Sequence, residues 1–261
     1  MSNQKETFAG LMHSFGYRYD PRTVFDDFLT MSICAVSQNP GTGKSYYEDI
    51  YLSTVLPYKD DSLRYNFPKM FGCLVDEMDD RVNSDTGNDV LGEFYEQNFS
   101  RKNSGQIFTP WHICKFMAEI TVSEARKEDN ERSLRIIDPA CGSGRMILAA
   151  AKANSPRDEY YGIDIDSTCV KMTALNLFLN GIFHSEVLCA DALMPEDFRF
   201  SYRLSFAPLG IFKIEEKGKS PLWHMLKESL SKPAPENDIK LPSELRKGQP
   251  NTAQGSQLQI F

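Results

Sequence analysis

Two segments in the first 80 residues have apolar positions at the spacing of amphipathic helices. The first begins at Asp20-Pro21, where the aspartate can cap a helix and the proline suits its first position. Its apolar face consists of Val24, Phe25, Phe28, Leu29 and Ile33. The second has the same period at Phe67, Met70, Phe71, Leu74, Val75 and Met78. Such stripes are usually core, so residues 1–100 predict a helical N-terminal domain.

The pattern changes after residue 133 to short apolar runs that end in acids. Residues 134–138, 160–166 and 186–191 each predict a buried strand followed by an aspartate, and helical segments separate them. The second of these helices starts after Asp166 or Ser167 and stops at Gly181. This alternation predicts an α/β domain with a parallel sheet.

The turn after the first strand reads Asp138-Pro-Ala-Cys-Gly-Ser-Gly144 and leads into a predicted helix. Gly142 and Gly144 permit a tight turn and close approach of a ligand, and the helix N-terminus offers free N–H groups. Asp164 and Asp191, at the ends of the next two strands, are placed to accept from ribose hydroxyls and from an adenine amine. The sequence therefore predicts an adenosine-shaped slot, for either a dinucleotide or S-adenosylmethionine. The G-x-G-x-x-G spacing that seats a pyrophosphate is absent.

The loop resembles motif I of the DNA amino-methyltransferases, in which it holds the methionine end of S-adenosylmethionine. Gly105-Gln-Ile-Phe-Thr-Pro-Trp111 resembles the Gln-x-x-Thr-Pro motif of adenine-N6 methyltransferases, especially modification subunits of type I restriction systems, and Asp89–Glu96 is similar to the helix before it. Thr109-Pro110 also suits a plain helix start. The resemblance implies a Rossmann-like S-adenosylmethionine-dependent methyltransferase fold over residues 101–212. It also implies these cofactor-binding residues: Gln106, Ile107, Phe108, Thr109, Pro110, Asp138, Pro139, Ala140, Gly142, Ser143, Gly144, Asp164, Ile165, Asp191 and Ala192.

The family's catalytic motif, Asn-Pro-Pro-Tyr or Phe, follows its fourth strand. There it accepts from the amine of a flipped adenine and stacks on the base. We align it with Ala207, Pro208, Leu209 and Gly210, of which only Pro208 agrees. Three hypotheses stay open: a DNA adenine-N6 methyltransferase, a degenerate cofactor- or DNA-binding subunit that acts with a partner chain, and methylation of another acceptor.

Residues 213–261 predict a polar, flexible C-terminal segment with one short helix and no clear strand. Ser220-Pro-Leu-Trp223 resembles another form of the catalytic motif, but it also suits a helix start with Trp223, Leu226 and Leu230 on one face. We expect the sheet to be incomplete, or completed by a partner subunit that also supplies specificity.

Net charge and composition restrict the other function classes. A net charge of −7 and a pI near 5.2 argue against a broad DNA-binding face, although Arg101-Lys102 could form a local patch on duplex DNA. The chain has no long apolar run or signal peptide, which predicts a cytoplasmic protein without a membrane partner. Six cysteines without a Cys-x-x-Cys pair predict reduced thiols, with neither disulfides nor a metal site.

Two short motifs invite functions of their own. Pro40-Gly-Thr-Gly-Lys-Ser45 imitates a phosphate-binding loop, but Gln38 stands where a glycine is needed, which favours an inter-helix loop. The last residues resemble the peptide that docks in a bacterial sliding clamp, through Gln257, Leu258, Ile260 and Phe261. Because five-residue matches arise by chance, we favour a flexible tail.

Overall fold

The computed structural model describes residues 6–81, 87–99, 107–128, 133–153, 157–194 and 196–231. Three of the predictions above lie outside these ranges: cofactor binding by Gln106, the basic pair Arg101-Lys102, and the clamp-binding tail of Gln257, Leu258, Ile260 and Phe261. The proposed domain boundaries near residues 100 and 212 stay predictions.

Ten α-helices and five strands form in the described residues. The helices are α1 (Phe8–His13), α2 (Pro21–Val36), α3 (Glu48–Val55), α4 (Asp61–Arg64), α5 (Asn66–Asp79), α6 (Val90–Asn98), α7 (Trp111–Glu128), α8 (Arg145–Ala153), α9 (Ser167–Leu179) and α10 (Pro221–Ser231). The strands are β1 (Arg135–Asp138), β2 (Glu159–Asp164), β3 (Ser185–Cys189), β4 (Phe200–Phe206) and β5 (Leu209–Ile214).

The first three strands form the parallel sheet that the sequence predicts. β1 pairs with β2 and β2 with β3, so that Asp138 lies opposite Gly162 and Asp164 opposite Cys189. The carboxyl ends of all three strands therefore meet at one edge of the sheet. The fold is of the predicted α/β class, with helices on both faces.

The prediction for the segment after β3 was wrong in topology. β4 runs antiparallel to β3, with Phe200 opposite Cys189 and Leu204 opposite Ser185. It turns directly into β5, a strand that the sequence analysis did not find. The strand order β1-β2-β3-β4-β5 makes Ala207 and Pro208 the turn of a hairpin at the amino ends of the parallel strands. They do follow a fourth strand, as the alignment expected, but at the end of the sheet opposite the glycine-rich loop. Only residues 190–199 join β3 to β4, whereas a parallel fourth strand would need a crossover of a dozen or more residues.

Helices cover both faces of the sheet. On one face, α8 packs on β1 and β2, α9 packs on β2 to β5, and α7 packs beside α8. The helix α2 packs on α9 and β5, so the N-terminal helices and this face share one hydrophobic core. The other face is covered by α10, whose Leu222 is fully buried against Ile163 and Leu188.

The predicted apolar face is confirmed in full for α2, and with one exposed residue each for α5 and α10. Asp20 caps α2 by accepting from the N–H of Thr23, and all five apolar residues of its predicted face are buried. In α5, Val75 is exposed. Ser220 caps α10 by accepting from the N–H of Trp223 at 3.0 Å, which confirms the helix-start interpretation of that segment, although Leu230 is exposed.

The phosphate-loop look-alike is confirmed as a loop between helices. Residues 40–44 form turns between α2 and α3, and a bridge pairs Gln38 with Ser45. All six cysteines are free thiols, and five of them are buried.

Candidate cofactor-binding site

The glycine-rich loop joins β1 to α8 at the carboxyl end of the sheet. Gly142 and Gly144 have φ angles of 56° and 84°, which L side chains rarely adopt. The helix α9 holds the loop from the side: Thr173 donates its hydroxyl to the carbonyl of Gly142 at 2.9 Å, and Asn176 donates its amide to that of Ser143 at 2.8 Å. Because fully buried residues of a neighbouring helix occupy these carbonyls, the loop has a defined shape.

A buried carboxylate, Asp89, ties the loop to the N-terminal helices. It accepts four hydrogen bonds: from the N–H of Gly92, the hydroxyl of Ser143, Nε of Arg145 and the amide of Asn176, all between 2.6 and 2.8 Å. The side chain is 1% exposed. A buried charge is tolerated only when it is paired and hydrogen-bonded, and Asp89 meets both conditions.

The guanidinium of Arg145 extends this network to the segment before α7. Besides Asp89, it donates to Glu96 Oε2 at 3.0 Å and to the carbonyl of Thr109 at 3.2 Å. It also lies 5.8 Å from the ring centre of Phe108. Burial lowers the pKa of Arg145, but the carboxylates of Asp89 and Glu96 more than offset this, and the net change is upward. The guanidinium therefore stays charged, with two acceptors at the ends of α6 and one in the segment before α7.

The ring of Phe108 lies directly against the glycine loop. A Cβ at position 142 would meet the ring at 2.8 Å, so only glycine allows this approach. The ring of Tyr95 stacks on Phe108 at 5.7 Å between centroids, and the Phe108 N–H donates to Glu96 at 3.2 Å. The segment predicted to close over the cofactor thus lies on the loop, as the resemblance implies.

Asp138, the last residue of β1, is a buried acid of this site with a raised pKa. It is 9% exposed, and burial raises its pKa to about 6, with the N–H of Ala140 opposing the rise and Asp164 adding to it. One oxygen accepts from Ala140 at 3.0 Å. The carboxylate also lines a cavity of about 260 Å³ between the loop and α7, which Phe108, Thr109, Cys114 and Met117 enclose among other residues. A cation in this cavity would meet a carboxylate with unused acceptor capacity.

The acid at the end of β2 supports the loop. Asp164 accepts from the N–H of Gly142 and from that of Asp166, both at 2.8 Å. Burial raises its pKa, and these two N–H groups oppose the rise. Each carboxylate oxygen carries two lone pairs, so capacity for a further hydroxyl remains. The structure thus gives Asp164 a loop-supporting role that the strand-end motif did not predict.

The acid after β3 closes its own turn. Asp191 accepts from the N–H of Leu193 at 2.9 Å. Its own N–H donates to Asp197 at 3.2 Å. The next residue, Ala192, packs against the core beneath α10.

The predicted cofactor residues fall into two groups. The first group lies around the cavity: it consists of the glycine-loop residues together with Phe108 and Thr109, and Asp164 bonds to the loop beside them. Ile107 and Ile165 are largely exposed, at 86% and 58%. The aligned catalytic residues Ala207, Pro208 and Gly210 lie at the other end of the sheet, as the register shows.

Three buried polar residues of the site were missed by the sequence analysis. Thr173 and Asn176 stand three residues apart on the buried face of a predicted helix, a spacing that aims both at one neighbour. Arg145 opens a helix, where the macrodipole disfavours a cation unless acids are near. The spacing of Thr173 and Asn176 and the position of Arg145 can both be seen in the sequence, but neither shows which residues these side chains bond to.

Among the described residues, no group of three or more His, Cys, Asp or Glu side chains could hold a metal ion. In the same residues, no helix combines the length and apolar character needed to cross a membrane.

Comparison with known proteins agrees with the loop and its surroundings. The N-6 DNA methylase family matches residues 86–206. The chain is 26% identical over 151 residues to the type II restriction enzyme and methyltransferase RM.BcgI of Heyndrickxia coagulans, covering 51% of this chain and 22% of that protein. It is 27% identical over 124 residues to the type I restriction enzyme MjaVIII methylase subunit of Methanocaldococcus jannaschii, covering 44% and 20%.

Among solved structures, the type I restriction-modification methyltransferase subunit from Streptococcus thermophilus covers 71% of this chain and 57% of its own, with 17% identity and a TM-score of 0.37. The chain spans about a fifth of the length of the two sequence relatives. The segment that resembles the N-6 DNA methylase family, residues 86–206, contains the loop, Asp89 and the Phe108 segment.

Proposed function

We propose that this chain binds S-adenosylmethionine and serves, together with a partner chain, in adenine-N6 methylation of duplex DNA. The observation that carries the proposal is Asp138, whose buried carboxylate lines a cavity beside two positive-φ glycines. The similarity of residues 86–206 to the N-6 DNA methylase family supports the choice of cofactor and substrate.

The residues present suit the charges of this cofactor. S-adenosylmethionine supplies an electrophilic methyl group on a sulfonium, and it also carries an ammonium group. Asp138 would hold the ammonium, since it has acceptor capacity left and lines the cavity. The loop from Asp138 to Gly144 would cradle the methionine end, Asp164 the ribose and Asp191 the adenine amine, while Phe108 to Pro110 close the cavity.

The partner chain would provide the site for the flipped adenine. Ala207 has no acceptor for the amine, and its hairpin lies at the wrong end of the sheet. In doubly wound sheets, ligands bind where the strand order reverses, between the first strand and a fourth on its other side. Within the described residues, β1 is the last strand on that side. A methyltransferase complete in one chain is the second candidate, which the family match favours.

Calorimetry tests the cofactor part of the proposal. Wild-type protein and the Asp61→Asn variant, whose carboxylate is 77% exposed and remote from the loop, should bind S-adenosylmethionine equally. Asp138→Asn should bind at least about tenfold more weakly, because it loses a charge-assisted hydrogen bond to the ammonium. No heat of binding from wild-type protein at millimolar cofactor would refute cofactor binding.

Methyl transfer tests the partner part. The chain alone, supplied with labelled cofactor and unmethylated duplex DNA, should yield no N6-methyladenine. Product formed by the purified chain would support the second candidate and contradict the need for a partner.

A further inference from the structure

We infer that Arg145 is a positioning residue that holds the Phe108–Pro110 segment in register with the cofactor loop. The inference rests on the proposed cofactor site and concerns a residue that was not among those predicted to bind the cofactor. Its role is to set the shape of the cavity and not to contact reacting atoms.

One guanidinium joins α8 to both ends of α6 and to the segment before α7. Nε donates to Asp89 just before α6, Nη2 to Glu96 near the end of α6, and Nη1 to the carbonyl of Thr109 just before α7. Arginine can do this because its donors form a rigid planar fork, whereas a lysine ammonium is a point charge. The contact to Thr109 fixes the backbone next to Phe108.

The same network fixes the loop on its other side. The Ser143 hydroxyl and Arg145 Nε both donate hydrogen bonds to the same carboxylate oxygen of Asp89, Oδ2. Glu96 accepts from Arg145 through one oxygen and from the Phe108 N–H through the other. The loop and the segment that lies on it are thus held by the same two acids and one cation.

The cavity depends on this arrangement. Phe108, Thr109 and Arg145 line it together with Asp138 and Ser143. If the Thr109 carbonyl were released, the Phe108 ring could leave Gly142 and the cavity would lose one wall. The fold itself would keep its buried charges compensated as long as a cation remained at position 145.

The test is Arg145→Lys, which keeps the charge beside Asp89 but cannot span all three acceptors. The matched control is Arg81→Lys, since Arg81 pairs with Glu93 of the same helix α6 at 2.8 Å and lies outside the loop network. Two quantities are measured for each: affinity for S-adenosylmethionine by calorimetry at a temperature where all variants are folded, and emission of Trp111. The chain has two tryptophans, so a Trp223→Phe background isolates Trp111, the residue after Pro110.

The expected result for Arg145→Lys is cofactor binding about tenfold weaker and a red-shifted Trp111 emission, while Arg81→Lys changes neither. Unchanged affinity and emission in folded Arg145→Lys would overturn the inference and leave Arg145 a purely structural residue. If wild-type protein binds no cofactor, the proposed function fails, and the Trp111 emission alone decides whether Arg145 positions the segment.

A second variant covers the case in which Arg145→Lys does not fold. Glu96→Ala removes the acceptor shared by Arg145 and the Phe108 N–H from a side chain that is 31% exposed, and it leaves the Asp89–Arg145 pair intact. The same two changes are expected, and their absence contradicts the inference equally.

Discussion

The two ends of the parallel sheet use buried acids in different ways. At the amino end, Glu186 accepts from the hydroxyls of Ser201 and Ser220 and from the N–H of Leu222, and thereby joins β3, β4 and α10. At the carboxyl end, Asp138 accepts from one N–H of its own loop and faces a cavity. The difference teaches that a buried acid marks a candidate ligand site only where its hydrogen-bonding capacity is not used by the fold.

Cavity size alone would place the candidate site at the amino end of the sheet. A groove of about 870 Å³ lies at the amino end, beside the hairpin turn and the exposed ring of Phe206. The cavity at Asp138 is less than a third of that volume. The smaller cavity is favoured because it lies beside the glycine loop with positive φ angles and because the Asp138 carboxylate can accept further hydrogen bonds.

The largest effect is expected for Gly142→Ala. The new Cβ would meet the Phe108 ring at 2.8 Å, in a backbone conformation that itself costs about 1–2 kcal/mol for an L residue. We expect S-adenosylmethionine affinity, measured by calorimetry, to fall on the order of 100-fold. Gly218→Ala is the control because nothing lies within 4 Å of its added Cβ. Equal binding by both variants would mean that the loop does not form the site.

The next effect is a pH dependence of stability and of cofactor affinity, which should change in opposite directions. Because burial raises the pKa of Asp138 from 3.8 to about 6, its stabilising contribution is fully present below pH 3.8 and is lost as pH rises through 6. Asp138→Asn should therefore be more stable than wild type at pH 8, by about 1–3 kcal/mol, and the gain should vanish toward pH 4. Thermal unfolding across this range measures it.

Cofactor affinity of the wild type should change in the opposite direction. Protonation removes the charge that attracts the ammonium, so affinity should decrease as pH falls below about 6. A pH-independent affinity between 5 and 8 would exclude Asp138 as the ammonium ligand.

At the amino end, Glu186→Gln should affect stability alone. The NH2 of the new amide would face groups that donate to the carboxylate in the wild type, so it would lack an acceptor. Leaving a buried polar group unsatisfied costs about 1–3 kcal/mol. Chemical denaturation should show this loss, with cofactor affinity unchanged within about twofold. The exposed Glu216→Gln is the control. A loss of affinity in Glu186→Gln would show that the two ends of the sheet are coupled.

The smallest effect is expected for Ala207→Asn, which restores the missing asparagine of the family motif. The position is exposed in a hairpin turn, so stability should change by less than about 0.5 kcal/mol and methyl transfer should not be gained. Formation of N6-methyladenine by this variant would show that Ala207 does occupy the catalytic asparagine position, contrary to the strand register.

Local chemistry was predictable for reasons visible in particular residues. Asp20 and Ser220 cap helices, Gly142, Gly144 and Gly181 take positive φ, and two strands end in an aspartate, because each depends on neighbours a few residues away. The strand that starts at Leu209 was missed because its β pairing depends on β4 lying alongside it.

The sequence by itself determined the glycine-rich loop, the helices around it and the class of the fold, since backbone freedom, capping and hydrophobic period are local properties. Only the tertiary structure decided which edge of the sheet β4 joins, and hence that Ala207 and Pro208 lie far from the loop. It also decided that Asp89, Glu96 and Arg145, 56 residues apart at most, form one buried network. Strand order and buried ion pairs are long-range contacts, and no short stretch of sequence specifies them.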